Sequence, residues 1–438
     1  MNSKKFFELA KENDIQVSQI STHKSTKLSF SLFHGEIDSY SLSDTSTIAV
    51  RGIYKGKMGS AKTEKDDKNT PLFLVHAIKD GASYIEKVDP SFIFEGSKKY
   101  HNKNLFSKEL EKVSVETKIA KLHELESKLK GADKRVTEVQ VTYVEVSEES
   151  TIKNTYGINL KQRGNYFYFY AEQVAKDGEE IKSDGDIYFG NNFEEFNVDN
   201  FVKKITDKVT SKFHGTPIPG GTYKAVLKNE VVNDLLNAYI RSFSSEEIQK
   251  HSSLIEGKLN TKIASSKITI EEKPLTKNIF FKGFDDEGVA TINKKIVDHG
   301  VVKTYLYNLE TAAKDKVETT ANGYGGNGKI GIDVDNLSLK PGKLTEEELF
   351  EKIENGVYIT SITGLHAGLN ATSGDFSLEA EGYHVENRKK KGSLSLITVG
   401  GNLFKLFDSV IAVGNNSELF ISSSSSPAMA IRGLKVSS

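Results

Sequence analysis

The chain has 438 residues, with 59 Lys and Arg against 60 Asp and Glu and a hydrophobic content of 37%. That is room for two or three domains whose cores need no disulfide or structural metal. A formal net charge of −1, without any block of Lys and Arg, argues against a nucleic-acid surface, because such binding rests on clustered cations that displace counterions. Zero Cys removes disulfides, thiolate nucleophiles, Cys-ligated zinc and iron–sulfur clusters together.

In chain order, Phe6, Phe7 and Ala10 predict a short opening helix capped by Ser3. Charge returns at Glu8, so the start does not read as a signal peptide, and no run of ~18 apolar residues suggests a membrane span. The expected location is the cytoplasm. Residues 47–54 and 58–63 predict a hairpin around Lys55-Gly56-Lys57, followed by a loop at 66–69. Ile119, Leu122, Leu125 and Leu129 predict one amphipathic helix over 111–130, ended near Gly131. From 136 to 189 the period changes to two, with Val139, Val141 and Tyr143 alternating with polar residues, which predicts a β-meander. A helix from about Asp199 carries Val202, Ile205 and Val209 on one face. Residues 1–213 are therefore expected to form an α+β domain of helices on an antiparallel sheet.

Residues 214–221 hold two of the seven Pro and three Gly, and predict the interdomain linker, since both residue types break regular structure. Residues 222–438 are expected to form a mainly β domain with an antiparallel, barrel-like sheet. It opens with a helix over 230–239. Short β-rich runs follow at 267–270, 289–291, 304–307, 356–363, 394–399 and 409–413. One further helix is predicted over 345–353, where Thr345 and Glu348 have capping-box spacing. No tandem repeat is visible.

Several motifs imitate chemistry. Gly323, Gly328 and Lys329 have P-loop spacing, but Ile330 stands where a magnesium-binding hydroxyl is needed and no helix follows, so the segment reads as a loop. Gly326, Gly328 and Gly331 imitate a dinucleotide fingerprint and fail the same test of context. His123-Glu124 has Ser127 where a second zinc-binding His would stand, and the other His are scattered. Asp285, Asp286 and Glu287 before Gly288 could offer oxygen to a divalent cation, but consecutive side chains diverge, and a structural turn is the favoured reading. The Ser422–Ser426 run lacks a Gly-x-Ser-x-Gly elbow and reads as a polar strand end or loop. Residues 364–377, rich in Gly, Asn, Thr and Asp, make a loop suited to an extended ligand, although a purely structural loop would look similar.

Phe284-Asp285-Asp286-Glu287-Gly288, Asn370-Ala371-Thr372-Ser373-Gly374-Asp375-Phe376-Ser377 and Gly400-Gly401-Asn402-Leu403-Phe404 together resemble the TldD/PmbA family, known also as modulator of DNA gyrase. The order of elements is similar over nearly the whole chain, and the PmbA (TldE) branch is the closer match. The catalytic TldD branch carries His-Glu-x-x-x-His on the helix after the linker and a later Cys. Registered on Leu235-Leu236, this chain has Asn237, Ala238 and Ser242 at those positions, a degenerate zinc motif. The resemblance implies a subunit with no metal or cofactor of its own that pairs with a zinc-bearing TldD-type metallopeptidase partner. It implies a peptide substrate, handled in a closed chamber to which His366, Asn370, Thr372, Gly374, Asp375 and Phe376 would contribute. A dimer through the β-rich domain is expected, with no nucleic acid and no membrane. The alternatives are a self-contained homodimeric peptide-binding protein and an enzyme that uses the acidic or Ser-rich segments in another way.

Overall fold

A computed structural model of the chain describes residues 1–86, 92–325 and 330–438. They cluster into two compact units. The first comprises residues 1–210, 275–291 and 307–332, and the second residues 211–274, 292–306 and 333–438.

The first unit is built on six strands, β1 (Val17–Phe33), β2 (Glu36–Tyr54), β3 (Lys57–Thr63), β4 (Val136–Asn154), β5 (Asn159–Asp177) and β6 (Glu180–Gly190). They form one antiparallel sheet in the order β3-β2-β1-β4-β5-β6. Helices α1 (Ser3–Glu12), α2 (Thr70–Ser83), α3 (Lys108–Lys112), α4 (Val115–Gly131) and α5 (Val198–Thr210) complete its long N-terminal segment. The predicted helix over 111–130 is α4, which ends at Gly131 as expected but starts at Val115, because Ser114 accepts from Thr117 N and caps it; Glu111 belongs to the separate α3. The first cap is Asn2, whose side chain accepts from Lys5 N, and not Ser3.

Side chains alternate across a strand, so each face of the sheet has its own cover. On one face Ile20 packs with Phe6, Ala10, Leu74 and Ile78 of α1 and α2. The same face carries the aromatic stack of Phe30 and Tyr143, with ring centroids 5.1 Å apart, and Phe169 against Phe196 at 4.1 Å. The other face receives the segments from later in the chain. Gln19 Nε2 donates to the Asp286 carbonyl (3.2 Å), Gln162 Nε2 to the Phe281 carbonyl (2.7 Å), and Phe284 packs on Ile152 and Ile158.

The second unit opens with β7 (Gly221–Leu227) and α6 (Asn229–Ile240). Its largest sheet closes on itself. Gly356–Thr363 pairs with β7, β7 with Met429–Ser437, that strand with Ile397–Asn402, that with Asp375–Glu386, and the last with Gly356–Thr363 again. The result is a five-stranded barrel. It is antiparallel except between β7 and Gly356–Thr363, which run parallel. Glu346–Ile353, with the predicted capping box on Thr345 and Glu348, packs Leu349, Phe350 and Ile353 against Val226, Tyr358 and Ala430. A second sheet runs Val301–Val302, Lys294–Asp298, Ile270–Glu272, Leu337–Leu339, Ser424–Ser426, Glu418–Phe420. The runs at 289–291 and 304–307 contribute only single bridges, at Ala290 and Leu306, because their neighbours turn away instead of continuing the ladder.

Candidate functional site

Helix α6 buries Val231, Val232, Leu235, Leu236 and Tyr239, an apolar stripe at helical spacing. Asn229, Asn233 and Asn237, four residues apart, form a second stripe that meets the serine strand. Asn229 Nδ2 donates to Glu418 Oε2 (2.8 Å) and the Asn229 carbonyl accepts from Ser426 Oγ (2.7 Å). Ser424 Oγ donates to Asn233 Oδ1 (2.7 Å), and Asn237 Nδ2 donates to Ser424 Oγ (3.0 Å) and to the Asn233 carbonyl (2.9 Å). The Ser422–Ser426 run is therefore part of a hydrogen-bonded ladder, in which Ser424 and Ser426 are buried.

That ladder bears on zinc. Asn237 offers an amide already engaged, Ala238 a methyl group, and Ser242 lies in the single turn Arg241–Phe243, its carbonyl accepting from Ser253 Oγ (2.7 Å). A neutral amide, a methyl and a hydroxyl do not suit zinc, and none of these three side chains can deprotonate a bound water. Among the described residues, no three His, Cys, Asp or Glu come together so as to hold a metal ion. His123 lies exposed on α4, and Glu124 beside it pairs with Lys121 and Lys128 at 2.9 Å each.

The 364–377 loop is a short helix, Leu365–Gly368, and a tight turn leading into Asp375–Glu386. Asn370 Oδ1 accepts from Thr372 N and Ser373 N, both at 3.0 Å, and the Asp375 carbonyl accepts from Asn370 N (2.9 Å). Gly374 sits at φ +75°, where a Cβ would lie 2.7 Å from the Phe404 ring, so only glycine fits. His366, Asn370 and Thr372 are exposed. Asp375 and the buried Phe376 line a cavity of about 670 Å³ at one end of the barrel, with Gly401, Lys405, Arg432 and Lys435. Asp375 Oδ1 accepts from Asn402 Nδ2 and Oδ2 from Ser373 Oγ, both at 2.9 Å; these bonds hold its carboxyl below the usual range and keep it ionised. Sequence reasoning reached Asp375 and Phe376 but missed the three cations. They come from separate segments, and only an isolated Arg432-Gly433 after an apolar run hinted at a break.

In the first unit, Asp285 and Glu287 are buried. Asp285 Oδ1 accepts from Glu287 N (3.0 Å) and Val289 N (2.9 Å), the geometry of a turn closed by Gly288 at φ +85°, and Oδ2 accepts from Gly323 N (3.0 Å). Asp286 Oδ2 accepts from Gly325 N (2.9 Å). Glu287 Oε2 accepts from Leu309 N (2.8 Å), and Oε1 lies 3.6 Å from Arg51 Nη1. A Cβ at Gly323 would meet Glu287 Oε2 at 2.4 Å. Burial pushes both carboxyls up, Asp285 further through its charged neighbour Glu287, while Arg51 pulls Glu287 part of the way back. Of the P-loop and dinucleotide look-alikes, residues 326–329 lie outside the described residues. Gly323–Tyr324 pairs with Gly331–Ile332 as a two-stranded ribbon.

A helix-and-meander unit together with a closed small barrel defines an α+β protein of two units, a class with solved relatives. A crystal structure from Thermotoga maritima, described as a modulator of a DNA gyrase, is 30% identical and covers 99% of both chains with a TM-score of 0.92. The structure of TldE from Thermococcus kodakarensis, 21% identical, covers 99% of both chains with a TM-score of 0.90, which shows the shared fold. The metalloprotease PmbA homolog of Buchnera aphidicola is 24% identical over 295 residues, 65% of this chain; the chain spans 62% of that relative's length. Models for domain 1, the central domain and the C-terminal domain of the PmbA/TldA metallopeptidases match residues 19–80, 108–213 and 220–438. The chain belongs to this TldD/PmbA family. No helix among the described residues is long and apolar enough to cross a membrane.

Proposed function

We infer that the chain is the TldE-type, non-catalytic subunit of a two-component zinc metallopeptidase, and that it forms part of the chamber in which small or unfolded peptides are processed. The observation that carries this reading is the Asn229, Asn233 and Asn237 ladder on α6. At the helix where the catalytic branch of the family carries zinc ligands, amide and hydroxyl groups are tied to the serine strand. The partner would be a TldD-type subunit bearing His-Glu-x-x-x-His and a Cys, and zinc would belong to that partner. Assembly as a dimer in the cytoplasm, without nucleic acid, fits a neutral chain whose sheet edges need cover. In this reading the Asp375 and Phe376 side of the barrel faces the peptide.

The test is purification alone and with a TldD-type subunit. Alone, the chain is expected to hold no stoichiometric zinc and to hydrolyse no peptide; with the partner, it co-elutes and peptide turnover appears. About one zinc per chain that survives dialysis, or hydrolysis by the chain alone, overturns the reading.

A further inference from the structure

The seam between Ile397–Asn402 and Met429–Ser437 is incomplete. Their ladder stops at Gly400 opposite Lys435; beyond it Met429–Ile431 pairs with Val410–Val413 instead, and Ile397–Asn402 runs on without that neighbour. Gly401 and Asn402 continue to pair with Phe376 and Asp375. On the other side, the register against β7 shifts between Ile431 and Leu434, which makes Arg432 and Gly433 a bulge, and Arg432 N donates to the Ser409 carbonyl (3.1 Å). The cavity of about 670 Å³ opens at this parting, with glycine backbone at Gly400, Gly401 and Gly433 in its wall. Its volume falls in the roughly 300–1,000 Å³ range of pockets that enclose a small ligand.

Charge in the wall is one-sided. Lys405, Arg432 and Lys435 line the cavity, all three are exposed, and none has a carboxylate within ion-pair distance among the described residues. The single acid, Asp375, is held by Asn402 and Ser373 and feels Lys405 at longer range. Three cations against one engaged carboxylate leave a net positive lining in a chain that is neutral overall. A concave site whose net charge is of one sign concentrates ligands of the opposite sign.

We propose that this cavity is a subsite for an extended, acidic peptide segment: carboxylates of the peptide meet Lys405, Arg432 and Lys435, while its main chain lies along the glycine-lined parting. Among the described residues Gly401 and Asn402 have a strand partner on one side only, and that short edge suits main-chain hydrogen bonding, while the flanking cations set the side-chain preference. Thr222, exposed on β7 opposite Lys435, borders the same cavity and gives a handle on its charge. The inference rests on the peptide-holding role proposed above and adds a preference for negative charge.

The experiment uses the full chain and three fluorescent heptapeptides of Ala carrying three Glu, three Gln or three Lys. The Glu peptide is expected to bind about tenfold more tightly than the Gln peptide, with the Lys peptide weakest, and the preference should fade as salt rises. Lys405→Gln with Arg432→Gln should bring the Glu peptide to the affinity of the Gln peptide. Thr222→Glu, an exposed change that keeps every cation in place, should weaken the Glu peptide and strengthen the Lys peptide. Circular dichroism confirms that each variant is folded. Equal binding of Glu and Gln peptides by the wild-type chain overturns the acidic preference and leaves the peptide-holding role standing. No binding of any peptide by the folded chain overturns both. Inorganic phosphate or a short oligonucleotide displacing the Glu peptide at lower concentration than unlabelled Glu peptide would make the site a general anion site and overturn the peptide assignment.

Discussion

Replacing Arg51 by Met removes the cation that faces the buried Glu287 while keeping a long apolar stem in the sheet. The separation is 3.6 Å, with side chains 10% and 4% exposed. At an effective dielectric of about 20 the attraction over that distance is about 4–5 kcal/mol. Breaking such a pair on one side costs about 3–5 kcal/mol, because the remaining charge stays buried. Arg51 Nη2 is buried with no hydrogen-bond partner, which places the expected cost near the lower bound, about 3 kcal/mol. The sign with pH follows from the neighbours of Glu287. Burial and Glu310 push its carboxyl up, while Arg51 and the Leu309 N–H pull it down; Asp285, pushed up by burial and by Glu287 itself, lies beside it. Without Arg51 the Glu287 carboxyl rises further. A carboxyl raised by folding stabilises the native state below its unfolded value and loses that contribution as pH climbs through the folded one. Arg51→Met should therefore be least stable relative to wild type near pH 8, and the deficit should shrink towards about pH 5. Adding Glu287→Gln to the variant should recover much of the loss at pH 8. Urea unfolding followed by far-UV circular dichroism and tyrosine fluorescence at several pH values measures this, since the chain has no Trp and 17 Tyr. A deficit that does not change with pH, or a double variant no more stable than Arg51→Met, would refute the account.

Gly374→Ala should lower the melting temperature, since a Cβ at φ +75° would press on the Phe404 ring from 2.7 Å, at a cost of about 1–3 kcal/mol; an unchanged melting curve would contradict the strain argument. Asn233→Ala leaves the buried Ser424 hydroxyl without the oxygen to which it donates, and should cost about 1–3 kcal/mol in the same unfolding assay, a loss under about 0.5 kcal/mol counting against a structural ladder. Asn370→Ala combined with Thr372→Ala should leave the fold intact and reduce peptide turnover by the reconstituted two-component enzyme. Lower stability with unchanged turnover would make the loop a structural turn only.

Much of the architecture is written locally. The period of two over 136–189 announces β4, β5 and β6, because alternate residues must face opposite sides of a strand. Thr345 and Glu348 announce the start of a helix through capping chemistry that needs no distant partner. That Asn237, Ala238 and Ser242 are not zinc-ligand residue types, and that the chain has no Cys, is also read directly from the sequence, since ligand chemistry is a property of the residue itself. Other features depend on which distant segments meet. Residues 275–291 and 307–332 return to the first unit, because the second face of its sheet must be covered and Gln19 and Gln162 find carbonyl partners there. Asp285 and Glu287 look like solvated turn residues in sequence, and their burial beside Arg51 exists only once that return is made. The barrel is closed by a parallel pairing between β7 and Gly356–Thr363, whose paired residues stand 132 positions further along the chain. Lys405, Arg432 and Lys435 likewise share one wall only because the seam of that barrel parts after Gly400. Local periodicity states which face of an element is apolar; which partner buries it, and which charges are thereby brought together, is decided by long-range packing.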